Sequence, residues 1–205
     1  MSYSNPPIPT ITNPVGLDAA IQSLQEELAE LPWLEKCFGR AWEHKEQDGQ
    51  GNLIRIPKCF AGIDPTTKMA EYINVLPNDS FQSMAFFAVR DREFWVGEVF
   101  NPAGENAKER QVSVIIWGDL VKIDPAKTYI YTEELKHDVE VILKGNQYVK
   151  NIIQYFDERV EQVFDGLINE AKYARYTIDD VKNPYLMHPF FGMRFDITLG
   201  YYEEC

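Results

Sequence analysis

Three histidines and three cysteines are the side chains of this sequence best suited to acid–base, nucleophilic or metal chemistry. Their spacing works against each use. His44, His137 and His188 lie in unlike contexts, and none has a second ligand at a separation that preorganises a metal. His137 is followed by Asp138, but adjacent helical positions point about 100° apart, so the pair reads as a solvated helix face. His188, between Met187 and Pro189 in an aromatic segment, reads as a histidine satisfied by a backbone partner. Cys37, Cys59 and Cys205 are odd in number and widely spaced, with no base beside them to activate a thiolate. They are expected to be reduced, two of them packed as small hydrophobes. The acidic pairs Glu26 with Glu27 and Asp179 with Asp180 are adjacent and unspecific, and no GxSxG, phosphate loop or GxGxxG is present. The glycines of "DGQG" already have a turn to make, and Asn78, Asp79 and Ser80 read as a turn rather than a glycosylation site. The sequence therefore predicts no catalytic residue, no cofactor and no metal ligand.

A length of 205 residues with 45% hydrophobic and 13% aromatic content is enough for one well-cored domain. A net charge of -12 disfavours a protein that grips nucleic acid, because neutralising phosphates needs a concentrated basic face. The clusters "AFFAV", "EFWV" and "PFFGM" are accordingly read as core or subunit interface rather than as stacking platforms for bases. No stretch approaches the eighteen or so apolar residues of a membrane span, and "MSYSNPPIPTITNP" has neither the basic start nor the apolar middle of a secretory signal. The expected location is cytoplasmic.

Four prolines make residues 1–15 an extended arm, followed by a single domain over 16–205. In "GLDAAIQSLQEELAEL", Leu17, Ile21, Leu24, Leu28 and Leu31 recur at helical spacing, and Pro32 helps to end the helix. "CFGRAWEHKEQDGQGNLIRIPKCFAG" reads as two strands joined by a turn over 48–51. Further strands are expected in "AEYINVL", "FQSMAFFAVR" and "QVSVIIWGDL", with "NPAGENAKER" as a loop. A second helix follows in "TEELKHDVEVILKG", with a stripe of Leu135, Val139, Ile142 and Leu143, Thr132 as its cap, Glu133 and Glu134 at the positive end of the dipole and Gly145 at its close. Residues 148–167 carry both helical and strand patterns; a strand near 148–157 followed by a helical turn is preferred, because the last strand needs a partner.

That last strand ends the sequence on its most aromatic stretch. From Gly192, Met193, Phe195, Ile197 and Leu199 alternate with Arg194, Asp196, Thr198 and Gly200, the period of a half-buried strand whose apolar side faces the helices. Phe190 and Phe191 before it, and Tyr201 and Tyr202 after it, are the candidate subunit contacts. The fold expected is α+β: a mostly antiparallel, curved sheet of about six or seven strands with two main helices packed on it.

Taken in order, "LPWLEKCFGRAW", "VIIWGDLVKID" leading into "YTEELKHDVEVIL", and "PYLMHPFFGMRFDITLGYY" resemble the tail-terminator and tail-completion proteins at the head–tail junction of tailed bacteriophages. The resemblance runs through most of the chain from about Leu17, in pattern more than in diagnostic residues. It implies a one-domain subunit without catalytic residues, which assembles with itself into a ring, commonly a hexamer, that caps the tail tube and meets other tail or neck proteins. It also gives the acidic balance a use, since carboxylates on a lumen would keep passing DNA from sticking. The proline arm and the length depart from the family pattern. Two other classes stay open on the residues alone: an enzyme with a site assembled from scattered positions, and a cytoplasmic protein-binding module.

Overall fold

The computed structural model describes residues 8–47, 53–77, 80–90, 94–95, 106–156, 163 and 188–203. In chain order its elements are α1 (Leu17–Leu28), β1 (Lys36–Gln47), β2 (Leu53–Ile63), β3 (Ala70–Asn74), β4 (Ser83–Val89), β5 (Phe94–Trp95), β6 (Asn106–Asp119), α2 (Leu120–Ile123), α3 (Thr132–Gly145), β7 (Val149–Phe156) and β8 (Phe190–Glu203). The strands form one open sheet in the order β3-β2-β1-β4-β6-β8-β7, with β5 added beside β6. Every pairing is antiparallel except β1 with β4, so the α+β, mostly antiparallel architecture is as the pattern predicts.

α1 and α3 bury their apolar stripes against one face of the sheet. Leu17, Ile21, Leu24 and Leu28 of α1 and Leu135, Val139 and Leu143 of α3 share a core with Val112, Val114 and Ile116 of β6 and with Met193, Phe195, Ile197 and Leu199 of β8. Each such side chain contributes roughly 1.5–3 kcal/mol on burial. Asn146, just past α3, donates to Glu27 (2.9 Å) and Ser23 (3.3 Å) of α1 and so ties the two helices together.

Three local expectations change, and the strand preferred near 148–157 is found. β6 begins at Asn106, so 106–110, expected in a loop, is strand, paired residue for residue with the end of β8. Thr132 is the first residue of α3 rather than its cap. Tyr131 takes the cap position without a side-chain bond to the helix, and its hydroxyl donates instead to the Leu120 carbonyl (2.7 Å). The ambiguous segment resolves as strand over Val149–Phe156; beyond it, Val163 alone is described before 188, and it is buried. Finally, β8 is not half-buried. Its second face packs too, against a smaller core of Phe38, Met84, Phe86, Ile115 and Trp117.

β1 plays two parts. Its first half pairs with β4 in the main sheet, the register breaks between Cys37 and Arg40, and from Ala41 onward it pairs only with β2. A three-stranded lobe of β1, β2 and β3 thereby runs out past the start of α1, with Trp42, Ile63, Met69 and Tyr72 exposed. Such a bulge bends its strand and increases the local twist.

Candidate functional site

The residues singled out in the sequence separate in space. Phe191 is 6% exposed and Tyr201 3%, both inside the main core. Neither has the exposure expected of a rim contact. Phe191 is held there by Gly118, where a Cβ would come within 2.7 Å of its ring. Phe190 stacks on Trp117, centroids 5.3 Å apart and planes 14° off parallel. Tyr202, 50% exposed, remains on the surface. His137 lies exposed on α3 as expected, and His188 is exposed too. His44 sits in the β1–β3 lobe against Tyr72, ring centroids 5.3 Å apart. Cys37 and Cys59 are buried free thiols whose pKa values burial pushes far up, so both are poor nucleophiles. Cys205 lies outside the described residues. Among the described residues no cluster of three or more His, Cys, Asp or Glu is placed to hold a metal, and no helix is long and apolar enough to cross a membrane.

Two constellations do form. The first is a buried charge cluster on the second face of the sheet. Cross-strand register puts Asp196 of β8 between Ser113 of β6 and Gln154 of β7. Arg194, two residues earlier on the same face, donates to both carboxylate oxygens at 2.8 and 2.9 Å. Ser113 donates to Oδ1 at 2.5 Å, Gln154 to Oδ2 at 3.3 Å, and Arg90, just past β4, to Oδ2 at 2.6 Å. Asp196 is 4% exposed and Arg194 2%. Burial opposes ionisation of Asp196, but the hydrogen bonds from Arg194 and Ser113 and the charges of Arg194 and Arg90 outweigh it and hold the carboxyl below its ordinary range. Five donor groups meet a carboxylate with roughly four lone-pair directions, so no acceptor position is left for taking a proton from a substrate. The cluster's chemistry is cohesion: it ties β4, β6, β7 and β8 across the sheet.

The second is a groove of about 170 Å³ where the lobe emerges from beneath α1. Its floor is Arg40, Trp42, Phe60 and Tyr72, and its wall is Gln22 and Gln25. Register explains the floor: Phe60 and Tyr72 are direct partners across β2 and β3, and Arg40 and Trp42 share a face two residues apart. The Arg40 guanidinium lies 3.9 Å over the Trp42 ring and 3.4 Å from Asp18 at the start of α1. Gln25 donates to the carbonyls of Cys37 (2.9 Å) and Pro9 (3.2 Å), and Gln22 accepts from the Ile11 N–H (3.1 Å). Two glutamines thus do for the arm what a neighbouring strand would do, and Pro9, which has no N–H to offer, fits beside a donor. Ile8 packs against the main core. Residues 1–7 of the arm lie outside the described residues; its second half is docked on α1.

No protein-family model, curated protein or solved structure matches this chain.

Proposed function

We propose that the protein is a non-enzymatic structural subunit of a phage or phage-like tail, forming a ring at the tail end or head–tail junction. The observation that carries this reading is the distribution of exposed apolar side chains. One group, Trp42 and Tyr72, lies on the β1–β3 lobe at one end of the sheet order, and another, Tyr129 and Ile130, lies between α2 and α3. The two are far apart. β6 runs into α2 beside the start of β4, where β1 also begins, whereas Trp42 stands six residues further along β1, about 20 Å away at strand rise. Two unlike, separated patches suit head-to-tail association, which closes into a ring when the rotation between subunits allows. The α+β sheet carrying two helices on one face, and the resemblance in "LPWLEKCFGRAW", "VIIWGDLVKID" and the β8 segment, support the same reading. The partners are then further copies of this chain and other tail or neck proteins. The acidic composition suits a lumen past which DNA slides.

Native mass spectrometry and negative-stain microscopy of the purified protein, alone and mixed with tail tubes, test the reading. Closed rings, or discs at tube ends, are expected. A protein that stays monomeric at high concentration and ignores the tubes overturns it.

A further inference from the structure

We infer that the N-terminal arm is exchanged between copies, each subunit's residues 8–15 lying in the α1 groove of its neighbour. This deepens the ring reading and rests on it for the presence of a neighbour. Within one chain the arm passes Gln25 at Pro9 and Gln22 at Ile11, so it runs toward the start of α1. It must then reverse, because α1 begins at Leu17 and heads back alongside it. The reversal uses two residues with positive φ, Asn13 at 50° and Gly16 at 55°. Asparagine tolerates that region better than most residues, at a cost that glycine escapes.

The reversal leaves two things undone. Val15 stands 79% exposed, and the aromatic end of the groove lies open beyond Ile11. A chain that continued straight would remedy both. Four extended residues past Ile11 span about 13 Å, while Gln22 to Asp18 is about 6 Å along the helix. Pro14 and Val15 would then reach past the Asp18–Arg40 pair and lie on Trp42, Phe60 and Tyr72, a surface of the kind that takes proline rings. The arm's own chain cannot make that path, since it has to enter α1. A neighbour's arm can. It would form the same bonds to Gln22 and Gln25, so exchange loses none of them and adds the contacts of Pro14 and Val15. Swapping an identical element between protomers in this way is a low-cost route to association.

Crosslinking and hinge variants test this, all in a Cys205→Ser background. Val15→Cys and Tyr72→Cys, made separately and mixed, alter exposed positions, and oxidation should give a disulfide between the two chains. Asn13→Gly should favour the closed arm and weaken association about fivefold by sedimentation equilibrium, equivalent to ~1 kcal/mol. Asn13→Val, β-branched at a positive φ, should tighten it. Association that is insensitive to Asn13 and gives no mixed disulfide overturns exchange and leaves the ring reading standing. A mixed disulfide in a species that never grows beyond a dimer supports exchange and sinks the ring.

Discussion

Replacing Asp196 with Asn removes one charge from the buried cluster while keeping the side chain's shape. Arg194, 2% exposed, then loses the carboxylate charge it donates to at two points, in a site nearly closed to water. Arg90 is better off, since 27% of its side chain reaches solvent. Breaking a buried pair from one side costs about 3–5 kcal/mol, because the surviving charge stays desolvated. At roughly 2–4 °C per kcal/mol for a chain of this size, the thermal midpoint should fall by about 6–20 °C. Replacing the pair together, Arg194→Met with Asp196→Leu, removes both charges and should sit within about 1–2 kcal/mol of the wild type. The two variants should also differ in acid. The folded carboxyl titrates below the unfolded one, so its contribution is complete above the unfolded value, near pH 4, and drains away as pH falls through the folded value. The wild type should therefore lose stability below about pH 4 more steeply than either variant. Urea titrations from pH 2 to 7 measure this. A single variant as stable as the double one, or an unchanged acid slope, would refute the account of Asp196 as a buried, ionised tie.

Phe195→Ala should cost about 3–5 kcal/mol in urea denaturation, since the ring is fully buried and packs on Tyr155 at 4.8 Å. Phe191→Ser should destabilise the monomer, whereas Tyr202→Ser should leave its melting midpoint within about 2 °C, separating the core member of the aromatic group from the surface one. Gly118→Ala should lower stability by about 1–3 kcal/mol, because its methyl would meet Phe191 and Ser83. In a Cys205→Ser protein, Cys37 and Cys59 should react with a thiol reagent only as fast as the chain unfolds; rapid labelling in native buffer would contradict their burial.

What the sequence disclosed depended on how local each signal was. α1 and α3 were legible because five and four apolar residues repeat at helical spacing, and those stripes form the core. β8 was legible on its apolar side for the same reason. Its other side misled, since Arg194 and Asp196 look like solvent-facing residues and are buried only because Ser113, Gln154 and Arg90 come to them. Arg90 stands 106 residues from Asp196, and register, not spacing, joins them. Opposite charges two apart on a strand amid so many aromatics were the available clue. The beginning of β6 was missed because "NAKER" is polar; its pairing comes from the far end of β8. Phe190 and Phe191 share a composition but not a fate, because consecutive strand residues point to opposite faces and both faces are covered. The groove was invisible for a different reason: Gln22 and Gln25 look like an ordinary polar helix face until the arm lies on them.

The placement of β8 has a consequence for how the protein comes into being. β6 and β7 both precede it, yet neither pairs with the other, and β8 must slot between them, along β6 over its whole length and along β7 from Arg194 to Leu199. Until it does, the half-made sheet of β4 and β6 presents an apolar ladder with free backbone groups, a template for any stray strand. Closure waits on contacts between segments far apart in the chain, which makes it the slow step. During synthesis the hazard peaks when β7 has emerged and β8 has not. A nascent chain stalled before Phe190 should therefore be the species that chaperones hold and that aggregates first when they are scarce.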